Sequence, residues 1–288
     1  MTYREFLPCP ALAPHVTRIW CWDEPPAGVQ TRRVLPDGCI ELVINCGSQQ
    51  RKAPADGEAL EEQPSAFVAG QLTRYIDLVR ADRIDVVGVR FRTDGFARFT
   101  GLPADEFTDR DIALGDLWGI ELEERVREAR GPIARKVAIE AYLMRRLPAA
   151  TDRDAVVAAA VDRLADGGTT DIGTLSAALG ISTRQLQRRF RTATGLTPKQ
   201  YASIRRLQRV VRILGLAPER ELTALAQDAG FYDQPHFIHE VRRMAGIRPS
   251  QLRRSSSDEG GAEGEVSPFY NLAPTGRVVS PPTRRHKR

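Results

Sequence analysis

The sequence predicts an α+β fold, with a β-rich first part that ends in helices and an all-α second part. Three observations predict it. Up to about residue 90, short β-branched and aromatic runs alternate with turn sequences, which is typical of strands. After residue 95, apolar residues recur three and four positions apart, as on one face of a helix. The chain has 288 residues, which is enough for two domains.

Strand candidates in the first part are short apolar runs bounded by turn residues: 16–22, 32–35, 39–45, 66–70, 75–79 and 85–91. Pro36-Asp37-Gly38 predicts a turn between two of them, because proline presets φ and glycine permits a positive φ. Residues 47–65 are polar and acidic, and we expect a long loop there. The segments with helical spacing are 95–101, 117–130 and 133–146.

We expect three regions: a sensor or dimerisation domain at 1–150, a helical domain at 151–254 and a disordered tail at 255–288. The tail is rich in Gly, Ser and Pro and cannot support a core. The charge changes sign along the chain. Residues 1–150 carry 20 Lys+Arg and 23 Asp+Glu, whereas residues 151–254 carry 17 and 10. A local basic excess is expected where a segment meets a polyanion.

The sequence favours a cytoplasmic, nucleoid-associated protein without a membrane partner. No apolar run reaches the ~18 residues that a membrane span needs. The first residues also lack the basic flank and long apolar core of a signal peptide. Cys9, Cys21, Cys39 and Cys46 form no C-x-x-C pair, and we expect buried thiols, with a redox or metal role as the alternative.

An internal repeat occupies residues 175–201 and 225–252. The first pairs lie fifty residues apart and the later ones fifty-one, so the second copy has one extra turn residue. The matched positions are Leu175 with Leu225, Gly180 with Gly230, Ile181 with Phe231, Leu186 with Phe237, Phe190 with Val241, Gly195 with Gly246, and Pro198 with Pro249. Such a correspondence indicates a duplicated supersecondary unit.

Each copy has the layout of a helix-turn-helix. In the first, a helix at 174–179 ends at Gly180, and Ser182 begins a second helix in a capping box with Gln185. Arg184, Gln187, Arg188 and Arg191 lie opposite the apolar face of that helix. Arg can bind guanine and Gln can bind adenine through two hydrogen bonds each, so this face suits a DNA major groove. The alternative is an ordinary solvated surface.

A long helix at 198–214 joins the two units. Thr197 and Gln200 predict a second capping box, with Pro198 in the first helical position. At about 1.5 Å per residue it spans ~25 Å. It could therefore hold two reading helices on one face of a duplex, where major grooves recur every ~34 Å.

His236 and His239 form an H-x-x-H pair in the second unit. Two histidines one turn apart can bind a metal, but no third ligand lies nearby in the sequence. We therefore expect no metal and no cofactor, and we expect these side chains to contact DNA or to pack.

The two-unit pattern resembles the AraC/XylS family of bacterial transcription regulators over residues 151–254. The resemblance implies a seven-helix DNA-binding domain. It places base-reading positions at Arg184, Gln187 and Arg188 in the first unit. In the second unit those positions are Gln234, Pro235, Ile238 and His239, of which Pro235 and Ile238 cannot donate a hydrogen bond. We expect the DNA backbone to contact Ser182, Arg191, Lys199, Arg205 and Arg242.

Val241 and Glu240 depart from the family pattern, since the first replaces an aromatic residue and the second adds negative charge near the phosphates. The second unit is therefore expected to hold the backbone and to read little sequence. Residues 32–47 and 86–119 are similar to the cupin-like first domain of an uncharacterised AraC-type subgroup, which implies a β-barrel sensor. A metal cupin enzyme is disfavoured, because His15 is the one histidine in the first 150 residues.

These observations predict a non-enzymatic transcription regulator that binds double-stranded DNA in successive major grooves. Control through the first domain would come from a small-molecule effector or from homodimerisation, and RNA polymerase is a further candidate partner. One alternative is a DNA-binding module fused to an alkyl-transferring repair enzyme, which would need an activated cysteine. The expected P-C-H-R signature is absent, and Cys9 lies in Pro-Cys-Pro. Another is an architectural protein whose affinity follows salt and ignores sequence.

Overall fold

The computed structural model describes residues 2–26, 28–55, 60–80, 82–147, 153–165, 171–217, 219–252 and 265–266. We call residues 2–147 the β-rich part and residues 153–252 the helical part. The strands are β1 (Thr2–Phe6), β2 (Val16–Glu24), β3 (Gln30–Val34), β4 (Glu41–Asn45), β5 (Arg51–Pro54), β6 (Glu61–Glu62), β7 (Ala66–Ala69), β8 (Ile76–Arg80), β9 (Ile84–Phe91), β10 (Asp111–Ala113) and β11 (Glu265–Val266).

The strands of the described residues form two sheets. The larger sheet has the order β1-β2-β9-β4-β7-β10, and its neighbouring strands are all antiparallel. The smaller sheet has the order β11-β3-β8-β5-β6, which is antiparallel except where β11 pairs with β3. Pairs such as β2 with β9 join segments that are far apart in the chain.

All five residues of the central strand β4 are buried, because both faces of the strand are covered. Leu42 and Ile44 pack in a cluster with the helices of the β-rich part. Val43 packs on the other face, with Phe67 of β7. Because side chains alternate along a strand, Glu41 and Asn45 share the face of Val43. Two polar side chains are thus placed between the sheets.

Helices cover the outer face of the larger sheet. They are α1 (Ala97–Thr100), α2 (Leu114–Trp118), α3 (Glu121–Glu128) and α4 (Pro132–Arg146), with a 3-10 turn at Ala104–Glu106. Leu122 and Val126 of α3 and Ile139 and Leu143 of α4 are buried in one cluster against that sheet. The β-rich part is therefore a three-layer arrangement of helices, larger sheet and smaller sheet.

The helical part contains α5 (Ala155–Ala165), α6 (Ile172–Ala178), α7 (Thr183–Thr194), α8 (Pro198–Leu216), α9 (Leu222–Asp228) and α10 (Gln234–Ala245), followed by a helical turn at 249–252. One hydrophobic core joins these helices, and Leu35 of the β-rich part is buried in it. In the part of the chain that the structure describes, no helix has the length and apolarity needed to cross a membrane.

The predicted α+β class is confirmed, and the structure corrects three details. The expected loop at 47–65 contains β5 and β6, because these polar residues pair with each other and β5 pairs with β8. The expected helix at 117–130 is instead two helices, α2 and α3, because the helical conformation is interrupted at Gly119, where φ is 80°. The strands β1 and β10 were not predicted. The predicted disordered tail lies outside the described residues, apart from β11.

Candidate DNA interface

The first helix-turn-helix consists of α6, a tight turn and α7. Asp171 caps α6, since its side chain accepts a hydrogen bond from the Thr174 backbone. The helix ends at Gly180, whose φ of 69° is in the left-handed region that favours glycine. The Ile181 N–H then donates to the Ser176 carbonyl at 3.1 Å. These bonds satisfy carbonyls at the end of α6 and fix the direction in which the chain enters α7.

The start of α7 has the predicted capping box. The Ser182 side chain accepts from the Gln185 N–H, and Gln185 Oε1 accepts from the Ser182 N–H at 3.0 Å. Leu186 and Phe190, four residues apart, are fully buried in the helical core. The buried stripe fixes the rotation of α7 about its axis, so the opposite face is presented to solvent.

The second unit repeats this geometry. Gly230 has a φ of 84°, and the Phe231 N–H donates to the Ala226 carbonyl at 3.0 Å. That bond lies fifty residues after its counterpart in the first unit. Asp233 caps α10 by accepting from the His236 N–H at 2.7 Å. Phe237 is fully buried, as the repeat requires of the residue matched to Leu186.

The connecting helix α8 also begins as predicted. Thr197 and Gln200 form a capping box, and Pro198 occupies the first helical turn. The helix extends to Leu216, two residues beyond the predicted end. Its nineteen residues correspond to about 28 Å at 1.5 Å per residue. A buried helix of this length gives the two units a fixed spacing.

Nine of the ten polar or charged residues predicted to contact DNA lie at the surface. All nine are classed as exposed: Ser182, Arg184, Gln187, Arg188, Arg191, Lys199, Gln234, His239 and Arg242. Within the described residues, Arg184 and Arg188 make no salt bridge with an acidic side chain, so both guanidinium groups face solvent. Pro235 and Ile238 are exposed beside Gln234 and His239 on α10.

The prediction that Arg205 contacts the DNA backbone is not supported by its position. Arg205 is 6% exposed, and its Nε donates to the Ala165 carbonyl at the end of α5 at 3.0 Å. Its guanidinium therefore helps to hold α5 against α8. A sequence signal was available, because Arg205 follows Tyr201 by four positions and so lies on the same helix face, and Tyr201 is buried.

An arginine of α7, Arg189, also positions the helices. Arg189 donates from Nε and Nη2 to both carboxylate oxygens of Asp154, at 2.9 and 2.6 Å. Asp154 also accepts from the N–H groups of Val156 and Val157 and so caps α5. Partial burial opposes ionisation of Asp154, but the bonds from Arg189 and from the backbone outweigh it and lower the pKa of the carboxyl.

The β-rich part touches the first unit near the end of α7. Arg191 Nε donates to Asp105 Oδ2 at 3.0 Å. The Thr108 hydroxyl donates to the Gly195 carbonyl at 2.7 Å. Gly195 ends α7 in the left-handed conformation, with a φ of 80°. The 3-10 turn at Ala104–Glu106 thus lies against the end of the helix that carries the predicted base-reading residues.

The β-rich part also touches the second unit. The Tyr75 N–H donates to the Met244 carbonyl at 2.8 Å, and Arg33 Nη1 donates to the Ala245 carbonyl at 3.1 Å. The Arg33 guanidinium lies 3.9 Å from the centre of the Tyr75 ring. Both carbonyls belong to the last turn of α10, where the helix dipole favours a cation. Both α7 and α10 therefore end against the β-rich part.

Among the described residues, His236 and three of the cysteines lie in packed surroundings. His236 packs edge-on against Phe231, with ring centres 5.6 Å apart. Across the described ranges, no cluster of three histidine, cysteine or acidic side chains is arranged to hold a metal ion. Burial raises the pKa of the Cys21 and Cys39 thiols to about 12 and also raises that of Cys46. These three thiols are therefore protonated at neutral pH.

Comparison with known proteins gives matches in both parts of the chain. Residues 175–255 match the family described as "Helix-turn-helix domain", and residues 4–113 match "Domain of unknown function (DUF6597)". The HTH-type transcriptional regulator MtrA of Neisseria gonorrhoeae is 33% identical over 89 residues, which cover 31% of this chain. The chain spans only 29% of the length of that curated relative.

Two solved structures are similar in part. An AraC-type transcriptional regulator from Chromobacterium violaceum is 24% identical, with 36% of this chain and 95% of that chain covered and a TM-score of 0.34. ToxT from Vibrio cholerae is 10% identical, with 88% and 98% covered and a TM-score of 0.44.

Proposed function

We propose that the protein is a sequence-specific DNA-binding transcription regulator of the AraC type, with residues 175–255, which match a helix-turn-helix family, as its DNA-binding domain. One observation carries the proposal. Two capped helices, α7 and α10, bury equivalent apolar faces and expose the opposite faces at equivalent positions within one basic segment. As a regulator of this kind, the protein would act on the nucleoid in the cytoplasm.

We assign the main base-reading role to α7. One face of α7 exposes Arg184, Gln187 and Arg188. Arginine can form bidentate hydrogen bonds with guanine, and glutamine can do so with adenine. The matching face of α10 offers Gln234 and His239 beside two side chains that cannot donate. We therefore expect one half-site with strong sequence preference and a second with weak preference.

The two units suit successive major grooves on one side of a duplex. Helix α8 is about 28 Å long, and neighbouring major grooves recur every ~34 Å. Backbone contacts from Ser182, Lys199 and Arg242, all exposed, would hold the register. A single chain would then read both half-sites.

We also propose that the β-rich part controls DNA binding. Its contacts reach the ends of both reading helices, through Asp105 and Thr108 at α7 and through Arg33 and Tyr75 at α10. A change in the β-rich part would therefore alter the relative placement of α7 and α10. The signal would be a small-molecule effector, with homodimerisation as the alternative.

An alkyl-transfer repair enzyme is the less favoured function. Alkyl transfer needs a thiolate, and burial raises the pKa of Cys21, Cys39 and Cys46. Cys9 is partly buried, and its N–H donates to Glu140 at 2.6 Å. The hydrogen bond described for a cysteine sulfur runs from Cys21 Sγ to the Pro132 carbonyl, and a carbonyl cannot take up the thiol proton to form a thiolate.

Selection from random duplexes tests the proposed function. The full chain is incubated with a pool of random double-stranded DNA, and the retained sequences are read after several rounds. We expect enrichment of two short motifs centred about 10–10.5 base pairs apart, with the stronger preference in one of them. Retention of the pool without enrichment, with affinity that depends on salt alone, would instead identify an architectural protein.

A further inference from the structure

A cavity lies between the two sheets of the β-rich part. Its volume is about 60 Å³. One water needs roughly 10–15 Å³, so the cavity has room for a small organic molecule. Most of its wall is apolar, formed by valine, leucine, isoleucine and phenylalanine side chains from both sheets.

Acidic groups are placed around one part of this wall. Glu41 of β4 and Asp111 of β10 both pair with Ala69 of β7, one on each side. Neighbouring strands lie about 4.8 Å apart, so the two acidic residues are about 10 Å apart across a small alanine. Asp37 also lines the cavity. The small side chain of Ala69 leaves space between the carboxylates.

The cations that accompany these acids do not line the cavity. Arg90 donates to Glu41 at 2.6 Å and pairs with Asp37 at 2.7 Å. Lys52 pairs with Asp111 at 3.0 Å. Burial raises the pKa of both Asp37 and Glu41, against the attraction of Arg90. Because neither Arg90 nor Lys52 lines the cavity, its wall carries acidic side chains and no positive charge.

Asn45 provides an independent observation that points to a ligand. Its side chain lines the cavity and is 1% exposed, and its Oδ1 has no hydrogen-bond partner. Its Nδ2 donates to the Pro64 carbonyl at 3.4 Å. Gln63 Nε2, which could have satisfied an acceptor, donates to Asp111 at 2.9 Å. A buried acceptor without a donor costs stability unless something binds it.

We infer that this cavity binds a small ligand with a primary ammonium group on an apolar body, and that Asp37, Glu41, Asp111 and Asn45 supply the acceptors. An ammonium group has three donors and no acceptor, which matches a wall of carboxylates and one unsatisfied amide oxygen. The apolar remainder of the wall fits a hydrocarbon body. This inference identifies the chemical class of the effector and rests on the proposed function only for its effect on DNA.

The cavity is joined to the helical part by the segment 35–39. Leu35, Asp37 and Cys39 line the cavity, and Leu35 is also buried in the core of the helical part. The Pro36 carbonyl accepts a hydrogen bond from Gln208 Nε2 of α8 at 2.6 Å. A ligand that moves Asp37 therefore moves groups that contact the helix between the two units.

Gly38 in the same segment lies directly against α8. It has a φ of 81°, and a Cβ atom there would lie 2.9 Å from Tyr201 Cε2. This close approach leaves little freedom for the segment to shift without moving Tyr201. A ligand in the cavity would thus shift α8, and the shift would change the spacing between α7 and α10.

Three probes that share a carbon skeleton test the ligand class: n-butylamine, n-butanol and n-butyrate, added to the full chain without DNA at matched ionic strength. Binding is followed by tryptophan fluorescence, because Trp20 and Trp22 pack beside Phe67 of the cavity wall, and by melting temperature. We expect saturable binding of n-butylamine with a Kd on the order of 1 mM and at least tenfold weaker binding of the others. Equal or tighter binding of n-butanol or n-butyrate, or no binding of n-butylamine, would overturn the assignment.

Variants test the location. Asn45→Leu removes the unsatisfied acceptor at similar volume, and Ala69→Leu fills the space between Glu41 and Asp111. Each should weaken n-butylamine binding about tenfold or more while the protein stays folded. The matched control is Ala53→Leu, on β5 but outside the cavity wall, which should bind normally. Normal binding by both cavity variants would show that the amine binds elsewhere.

The effect of n-butylamine on the affinity for DNA is measured in a separate experiment. Saturating n-butylamine should change the Kd for a selected duplex at least threefold, and Gln208→Met should reduce that change while amine binding persists. Amine binding without any change in Kd for DNA would reject the coupling through segment 35–39. A protein that binds the amine but no DNA under any condition would reject the proposed function and leave the ligand assignment standing.

Discussion

Arg191 of α7 donates through Nε to Asp105 Oδ2 of the β-rich part at 3.0 Å. Arg191 is one of the residues expected at the DNA backbone, so the acidic β-rich part holds a group that a phosphate would otherwise bind. The Arg191 side chain is 61% exposed and that of Asp105 is 29% exposed. Such a pair adds little to stability, and we expect its main effect to be competition with DNA for Arg191.

Removal of this competitor should strengthen DNA binding. Asp105→Asn keeps the shape of the side chain and frees Arg191, and we expect a gain of about 0.2–1 kcal/mol, or up to roughly fivefold in affinity. The measurement is a fluorescence-anisotropy titration of a selected duplex at low and high salt. Asp116→Asn is the control, since it makes the same charge change at an exposed position. Equal gains in the two variants would indicate a general charge effect.

Arg188 and Lys199 should differ in the kind of DNA contact they make. Arg188→Ala removes a predicted base contact and should cost about 1–3 kcal/mol on the selected duplex, with relaxed preference at one position. Lys199→Ala should weaken binding to the selected and the scrambled duplex alike. It should also reduce the slope of log affinity against log salt concentration by about 0.9. Titrations on both duplexes across a salt series separate these effects. Equal losses for Arg188→Ala on both duplexes would assign Arg188 to the phosphates.

Arg205 should matter for folding rather than for DNA. Arg205→Met removes the buried hydrogen bond to the Ala165 carbonyl, and we expect the free energy of unfolding to fall by about 1.5–3 kcal/mol. Urea unfolding measures this loss. The control is Arg184→Met on the exposed face of α7, which should change stability by less than about 0.5 kcal/mol. A stable Arg205→Met variant with a reduced salt slope would restore the original prediction of a phosphate contact.

Cys21 and Cys39 should resist alkylation in the folded protein. With the pKa raised to about 12, roughly one thiol in 10⁴ is ionised at pH 8, and the thiolate is the reactive form. Iodoacetamide treatment followed by mass spectrometry should leave both unmodified, whereas the urea-unfolded chain should react at all four cysteines. Incubation with methylated DNA should add no mass. Fast modification of either thiol in the folded protein would revive the alkyl-transfer alternative.

The sequence by itself determined the features that depend on neighbouring residues. The capping boxes at Ser182 and Thr197, the left-handed turns at Gly180 and Gly230, and the buried stripe of α7 were all predicted and observed. A cap needs only a side chain and a backbone group three residues away, and a helix face needs only spacings of three and four. The two units were therefore visible before any tertiary structure was known.

The tertiary structure alone decided which charged and polar residues are accessible and what they face. Arg205 donates to a carbonyl forty residues earlier, Arg191 meets Asp105 eighty-six residues earlier, and Leu35 enters the core of the helical part. The acceptors around the cavity come from the segment 37–45 and from β10. No local pattern encodes these contacts, because burial depends on which distant segments pack together, and that is settled only when the sheets and helices have assembled.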